Sequence, residues 1–231
     1  MACKLKLVDD FLLPKPNLVF IELINLIVKK TILKDFLATM YRTFVSFFGA
    51  CFFALPLGLF LGTKARIYKS AEILVDFFRS IPATALFPLF LLIFGIGDIS
   101  KIAVCFFSAF LIILFNTVYG VINCNKHRII TAKVMGATKF QIFKLIIFRE
   151  SLPQIFIGLK SAVSMCLIVS LVCEMFLGTN FGLGKKIIDY QYVFDIKAMY
   201  AVIIIVGSLG YFLNFIFSVL EKKFNHWKQA D

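Results

Sequence analysis

A chain of 231 residues that is 61% apolar, with 29 Phe and only 16% charged residues, is too apolar for a water-soluble domain and falls among integral membrane proteins. Its formal charge of +12 would suit nucleic acid, but the Lys and Arg residues gather in short gaps between apolar runs. That is the pattern of membrane-flanking charge, and it argues against a nucleic-acid partner.

A bilayer core of ~30 Å needs roughly 20 apolar residues of helix at ~1.5 Å each. Residues 1–35 read as an extramembrane segment carrying Lys4, Lys6, Lys15, Lys29, Lys30 and Lys34, without the apolar run and small-residue cleavage site of a signal peptide. The membrane domain is expected over 36–220, with spans at about 36–62, 72–94, 102–122, 154–177 and 198–220, followed by a tail over 221–231. Continuous apolar runs without apolar/polar alternation predict helices rather than barrel strands, so the fold class is an all-α polytopic membrane protein.

The first span carries Ser46, Ala50, Ala54, Gly58 and Gly62 at four-residue steps, a small-residue face that lets another helix approach closely. Packing within the chain is the preferred reading over a dimer seam, and Pro56 predicts a weakened hydrogen-bond ladder with a kink. In the second span Asp76 and Arg79 stand at i and i+3, close enough to pair, with Glu72 one turn earlier and Ser80-Ile81-Pro82 interrupting the helix. A self-satisfied ion pair and a gating role are weighed equally there. The next gap holds Gly95 and Gly97, and Asn116 lies within the third span, in its last two turns.

In the fourth span Glu174 is the lone acid of an otherwise apolar run, and Lys160 is more than three turns away. Such an acid should face the protein interior, an aqueous pathway or a backbone donor; structural satisfaction is the preferred reading. The gap after it carries Gly182 and Gly184. Basic residues alternate: Lys64, Arg66 and Lys69 in the first gap, Lys126, Arg128, Lys133, Lys139, Lys144 and Arg149 in the third, Lys222, Lys223 and Lys228 after the last span. These parts therefore face the cytoplasm, which leaves the lysines before the first span outside.

The third gap, 126–153, contains the run ITAKVMGATKFQIFKLIIFRESLP, from Ile130 to Pro153. Gly136 separates the segments Ile129–Met135 and Thr138–Phe148, and a sharp turn between helices calls for positive φ there. Phe140, Phe143, Lys144 and Ile147 recur at steps of three and four, an apolar stripe with basic flanks that suits a groove on a partner; the alternative is a helix lying on the anionic membrane face. There is no phosphate-binding G-x-x-x-x-G-K-[ST] loop, His127 and His226 have no second ligand at useful spacing, and Cys51, Cys105, Cys166 and Cys173 read as small hydrophobes within spans.

The 126–153 loop resembles the cytoplasmic "EAA" loop of bacterial ABC importer permeases. RSIPATALFPLFLLIFGIGDISK (Arg79 to Lys101), FNTVYGV (Phe115 to Val121), CEMFLGTNFGLGKKI (Cys173 to Ile187) and the opening LLPKPNLVF (Leu12 to Phe20) are similar, in order, to runs of the nitrate/taurine/sulfonate family of these permeases. Ile130-Thr131-Ala132 stands where the family has Glu-Ala-Ala, and Phe148-Arg149 replaces a Leu-Pro, while Gly136 and Leu152-Pro153 are in place. The family also has a further membrane helix before the opening run. Here only Met1 to Phe11 precede it, so either a start upstream or loss of that helix is expected.

The resemblance implies a type I importer transmembrane domain in a bacterial inner membrane, acting as a transporter subunit and not as an enzyme. Thr131, Ala132, Gly136, Ala137, Phe140, Phe143, Lys144, Ile147 and Pro153 would couple it to a separate ABC ATPase subunit. Asp76, Arg79, Pro82, Asn116 and Glu174 are candidates for the pathway or its gating, and Gly95, Gly97, Gly182 and Gly184 for outer loops. A second permease copy, giving a homodimer, an extracytoplasmic solute-binding protein and membrane lipid are the other implied partners. No cofactor is expected in this chain, since ATP and Mg would sit on the ATPase. The family's solutes are small anions and zwitterions such as nitrate, taurine and alkanesulfonates, with thiamine precursors and bicarbonate in some members. The alternatives are a secondary carrier or channel subunit not coupled to ATP, or a purely structural membrane subunit.

Overall fold

A computed structural model describes residues 14–176 and 179–224. Met1–Phe11 with Lys4 and Lys6, the Leu177 boundary, Gly178, His226 and Lys228 lie outside the described residues.

The described residues form helices α1 (Pro16–Val28), α2 (Leu33–Thr63), α3 (Ala65–Ser80), α4 (Phe87–Phe94), α5 (Asp98–Ile122), α6 (Lys126–Val134), α7 (Lys139–Ile142), α8 (Phe148–Phe176), α9 (Leu183–Tyr192) and α10 (Ile196–Phe224). Four helices are long and apolar enough to cross a membrane: α2, α5, the continuous Lys139–Phe176 and α10. The bent pair Glu72–Ser80 and Ala83–Phe94 is apolar enough, taken together, for a broken span or a re-entrant loop. The 13-residue α1, about 20 Å long, is too short to cross a bilayer.

Helix α5 is the centre of the bundle, packed between α2 and α8, while α10 lies on α8, α9 and α1. The small-residue face of α2 explains the first contact. Ser46, Ala50, Ala54, Gly58 and Gly62 are all buried, and a Cβ on Gly58 or Gly62 would lie 2.7 Å from Thr117 Cβ or 2.6 Å from Val121 Cβ. The intrachain reading of that stripe therefore holds. On the other side of α5, a Cβ on Gly158 would meet Asn116 Cβ at 2.6 Å. Side chains removed from α2 and α8 are what let three backbones approach with little between them.

Three boundaries differ from the sequence expectation. The second span is broken, bent by 85° where Ser80-Ile81-Pro82 stops α3 and a short 3-10 turn, Ala83–Leu86, leads into α4. The fourth span does not start near residue 154: its helix runs back through Pro153 and a π-turn, Phe143–Ile147, to Lys139. The glycine-bearing gap after it is not all loop, because α9 occupies Leu183–Tyr192. Helix α2 passes through Pro56 without interruption.

Candidate functional site

Two clusters stand at opposite ends of α8. At its Phe176 end, Glu174 is buried and its carboxylate accepts from the Arg42 guanidinium, from Thr39 Oγ1 (2.8 and 3.0 Å to its two oxygens) and from the Gly184 amide (3.0 Å). Arg42, itself buried, also donates to Asp98 Oδ1 (2.9 Å) and to the Phe181 carbonyl (3.0 Å). Asp35 accepts from the Gly182 amide (2.9 Å) and lies 3.9 Å from Lys186, while Thr39 accepts from the Leu183 amide (2.9 Å). Three successive amides at the start of α9 are thus satisfied by side chains of α2 and α8, where a helix N-terminus favours negative charge.

The glycines fit this arrangement. A Cβ on Gly182 (φ +153°) would lie 2.5 Å from Glu174 Cδ, and one on Gly184 would lie 2.3 Å from the Leu171 carbonyl oxygen. The structural reading of Glu174 agrees with this geometry. Spacing along a helix does not mark Asp35, Thr39, Arg42 and Asp98, because their partners lie up to 147 positions away. A cation and an acid, each unpaired on its own span and each near the same end, was the signal available.

The other cluster is the basic loop. Asn125 caps α6 by accepting from the His127 amide (2.9 Å), and its own amide donates to Glu150 Oε2 (2.7 Å), while Arg128 pairs with Glu150 at 3.1 Å. Glu150 therefore folds α6 back on the start of α8. Gly136 follows α6 with φ +82°, the conformation the turn required, and no atom lies within 4 Å of a Cβ built there. Thr138 and Gln141 then form a reciprocal capping box that starts α7 (3.3 and 2.8 Å). Cys124 donates weakly to the Gly120 and Ile147 carbonyls, and burial, with Glu150 nearby, pushes its thiol up to about 11.

The expected stripe is altered by the π-turn, whose wider winding breaks the steps of three and four. Phe140 is exposed and Lys144 projects outward, whereas Phe143 and Ile147 are half-buried and Ile142 is buried. The apolar corner offered to solvent is instead Val134, Met135 and Phe140, exposed by 84, 81 and 70%. Thr131 is exposed; Ala132 and Ala137 are half-buried. Pro153 lies inside α8.

The remaining candidates are dispersed. Asp76 and Arg79 pair at 3.4 Å, both substantially exposed, and the Arg79 guanidinium sits over the Phe115 ring, 3.7 Å from its centroid. Pro82 is exposed at the break. Asn116 accepts from Gln154 Nε2 (2.9 Å) and donates to the Ile112 carbonyl (2.8 Å), which ties α5 to α8 rather than to the Asp76 pair. Gly95 (φ +77°) ends α4, and Gly97 lines a cavity of about 390 Å³ with Arg42, Asp98, Lys101 and Thr179.

Residues 54–226 match the family model described as binding-protein-dependent transport system inner membrane component. The chain is 23% identical to the taurine transport system permease protein TauC of Escherichia coli (strain K12), over 96% of this chain and 82% of the relative. It is 34% identical to the formylaminopyrimidine transport permease protein ThiX of Halalkalibacterium halodurans, over 67% of this chain and 61% of the relative. Its fold is similar to a chain of the inward-facing MetNI methionine ABC transporter, with a TM-score of 0.71 at 23% identity, covering 83% of this chain and 95% of that one.

Proposed function

Starting from the fact that this chain belongs to the family of binding-protein-dependent transport system inner membrane components, we propose that it carries a small solute inward and is driven by a separate ATPase subunit docked on its basic loop. It is an ABC transporter permease, a multi-pass helical protein of the inner membrane. A second copy of this chain completes the pathway as a homodimer, and an extracytoplasmic binding protein delivers the solute. ATP and Mg act on the ATPase, not here.

The observation that carries this reading is the loop's geometry. Helix α6, Gly136 and α7 present Val134, Met135 and Phe140 at one corner, and α7 runs into the span Lys139–Phe176 through a continuous helix. A push or pull on that corner reaches the bundle along a helix, and this is the link that ATP-driven alternating access needs. A carrier coupled to ions would need acids free to titrate within its spans. Glu174 is instead occupied by Arg42, Thr39 and Gly184.

The solute reading is narrower than the family. Taurine transport is the role of one relative and formylaminopyrimidine transport that of another; with the motif resemblance to the nitrate/taurine/sulfonate group, a small sulfonate or similar anion is the proposed cargo.

Gly136→Val tests the docking role. A β-branched side chain at φ +82° is strained by roughly 1–3 kcal/mol while nothing nearby obstructs it, so the spans keep their packing. Membrane abundance is expected to hold, while co-purification of the ATPase and solute uptake fall together at least severalfold. Normal ATPase binding and uptake in this variant would overturn the docking role.

A further inference from the structure

Helix α1 is amphipathic in the opposite sense to a helix on a water-facing surface. From Leu18 onward its exposed positions are Leu18, Phe20, Ile21, Ile24, Ile27 and Val28, open by 40 to 72%. Its polar residues turn inward: Glu22 and Asn25 are half-buried, and the Asn25 amide donates to Glu22 Oε2 at 3.5 Å. Val19 and Leu26 are buried against the rest of the chain.

Three observations place this helix at the end of the bundle opposite the basic loop. Its start is beside the start of α10, where Lys15 and Leu18 line a groove of about 740 Å³ with Val193 and Ile196. Its middle is near the end of α9, because burial, with Asp195, Glu22, Asp35 and Asp189 close by, raises the Tyr190 hydroxyl above its ordinary range. Residues 29–32 then lead to Leu33 of α2, whose Asp35 accepts from the Gly182 amide at 2.9 Å. The asymmetry of basic residues makes this end the outer one.

Six large apolar side chains in one patch call for a cover. Lys15 precedes the patch and Lys29 and Lys30 follow it, all three exposed. Lys15 and Lys29 are about 20 Å apart along a helix, so an upright α1 would put one set of lysines in hydrocarbon or one end of the apolar face in water. A helix lying flat at the membrane surface avoids both. The exposed apolar residues resume on α2 at Leu33 and Leu37 and continue along that span at Phe48 and Phe52. The face of α1 has none of the small residues that let a second helix approach closely, so a second copy of this chain fits it less well than lipid does.

We propose that α1 is a lipid-binding helix lying in the plane of the outer leaflet, with its Leu18–Val28 face among the acyl chains and Lys15, Lys29 and Lys30 on headgroup phosphates. It ties the start of α2, and with it Asp35, Thr39 and Arg42, to the membrane surface.

The test places one tryptophan at a time in the full chain, in a Trp227→Phe background that removes its own. Phe20→Trp, Ile24→Trp and Ile27→Trp report on the face of α1, and Phe52→Trp, exposed midway along α2, is the deep reference. Each is reconstituted in vesicles of phosphatidylglycerol and phosphatidylcholine, the latter brominated either near the headgroup or near the chain ends. All three α1 reporters are expected to lose most of their emission to the shallow bromines and little to the deep ones, at a common depth of about 5–10 Å below the headgroup boundary. The reference is expected to do the reverse. Depths that differ by about 10 Å between positions 20 and 27 would mean an upright helix and overturn the proposal. So would reporters that neither lipid quenches while Phe52→Trp is quenched, since protein, such as a second copy of this chain, would then cover the face.

The leaflet is read separately from Lys29→Cys in intact cells, with the unsubstituted chain as background. Reaction with a membrane-impermeant maleimide is expected, and reaction only after the cells are opened overturns the outer placement. Neither assay uses ATP or solute, so a failure here leaves the importer reading standing.

Discussion

Arg42 is the residue on which the far-end cluster turns, because its guanidinium joins α2 to Asp98 of α5, Glu174 of α8 and the Phe181 carbonyl before α9. Breaking a buried ion pair by removing one partner costs about 3–5 kcal/mol, and Asp98 remains on Arg42 to hold the loss near the lower figure. Glu174→Gln is therefore expected to lower the melting temperature in detergent, and Glu174→Leu to lower it further by stranding the Thr39 hydroxyl and the Gly184 amide. A Gln variant with wild-type melting but no uptake would contradict the structural role and make the charge part of the pathway. The isolation of Glu174 was legible in sequence, since one acid among apolar neighbours must find something. Its partner was not, because Arg42 lies 132 positions earlier and neither residue sees the other along its own helix.

At the scale of elements, the contact of α2 with α5 depends on absent side chains. Gly62→Ala would put a Cβ 2.6 Å from Val121 Cβ, and overpacking of this kind typically costs about 1–3 kcal/mol. Thermal unfolding in detergent should show the loss; Val121→Ala keeps the clashing Cβ and should restore little, whereas Val121→Gly, which removes it, should restore part of the loss, as expected for two residues in direct contact. Independent, additive effects would mean that the helices do not approach at this point. The four-residue repeat from Ser46 to Gly62 made this packing legible, as hydropathy did the spans. The π-turn at Phe143–Ile147 was not legible, because a single extra residue per turn leaves the apolar spacing nearly unchanged while rotating everything after it. For the same reason the stripe from Phe140 to Ile147 is divided between exposed and half-buried positions, and helical spacing does not mark Val134 and Met135 as exposed apolar residues. Ser80-Ile81-Pro82 announced an interruption, but the 85° bend depends on how α4 packs against α5.

For the whole molecule, the two clusters at opposite ends of α8 divide the labour: a rigid charged end opposite the basic loop, and a loop end whose apolar corner is bare in the isolated chain. Under the proposed function the ATPase covers that corner, and the sequence holds no phosphate-binding G-x-x-x-x-G-K-[ST] loop. The most direct test is uptake into proteoliposomes containing this chain, its ATPase and its binding protein, with labelled taurine and nitrate offered as solutes. Uptake that needs all three proteins and hydrolysable ATP, with no hydrolysis by this chain alone, is the predicted result. Uptake by this chain alone that follows an imposed ion gradient and ignores ATP would contradict it.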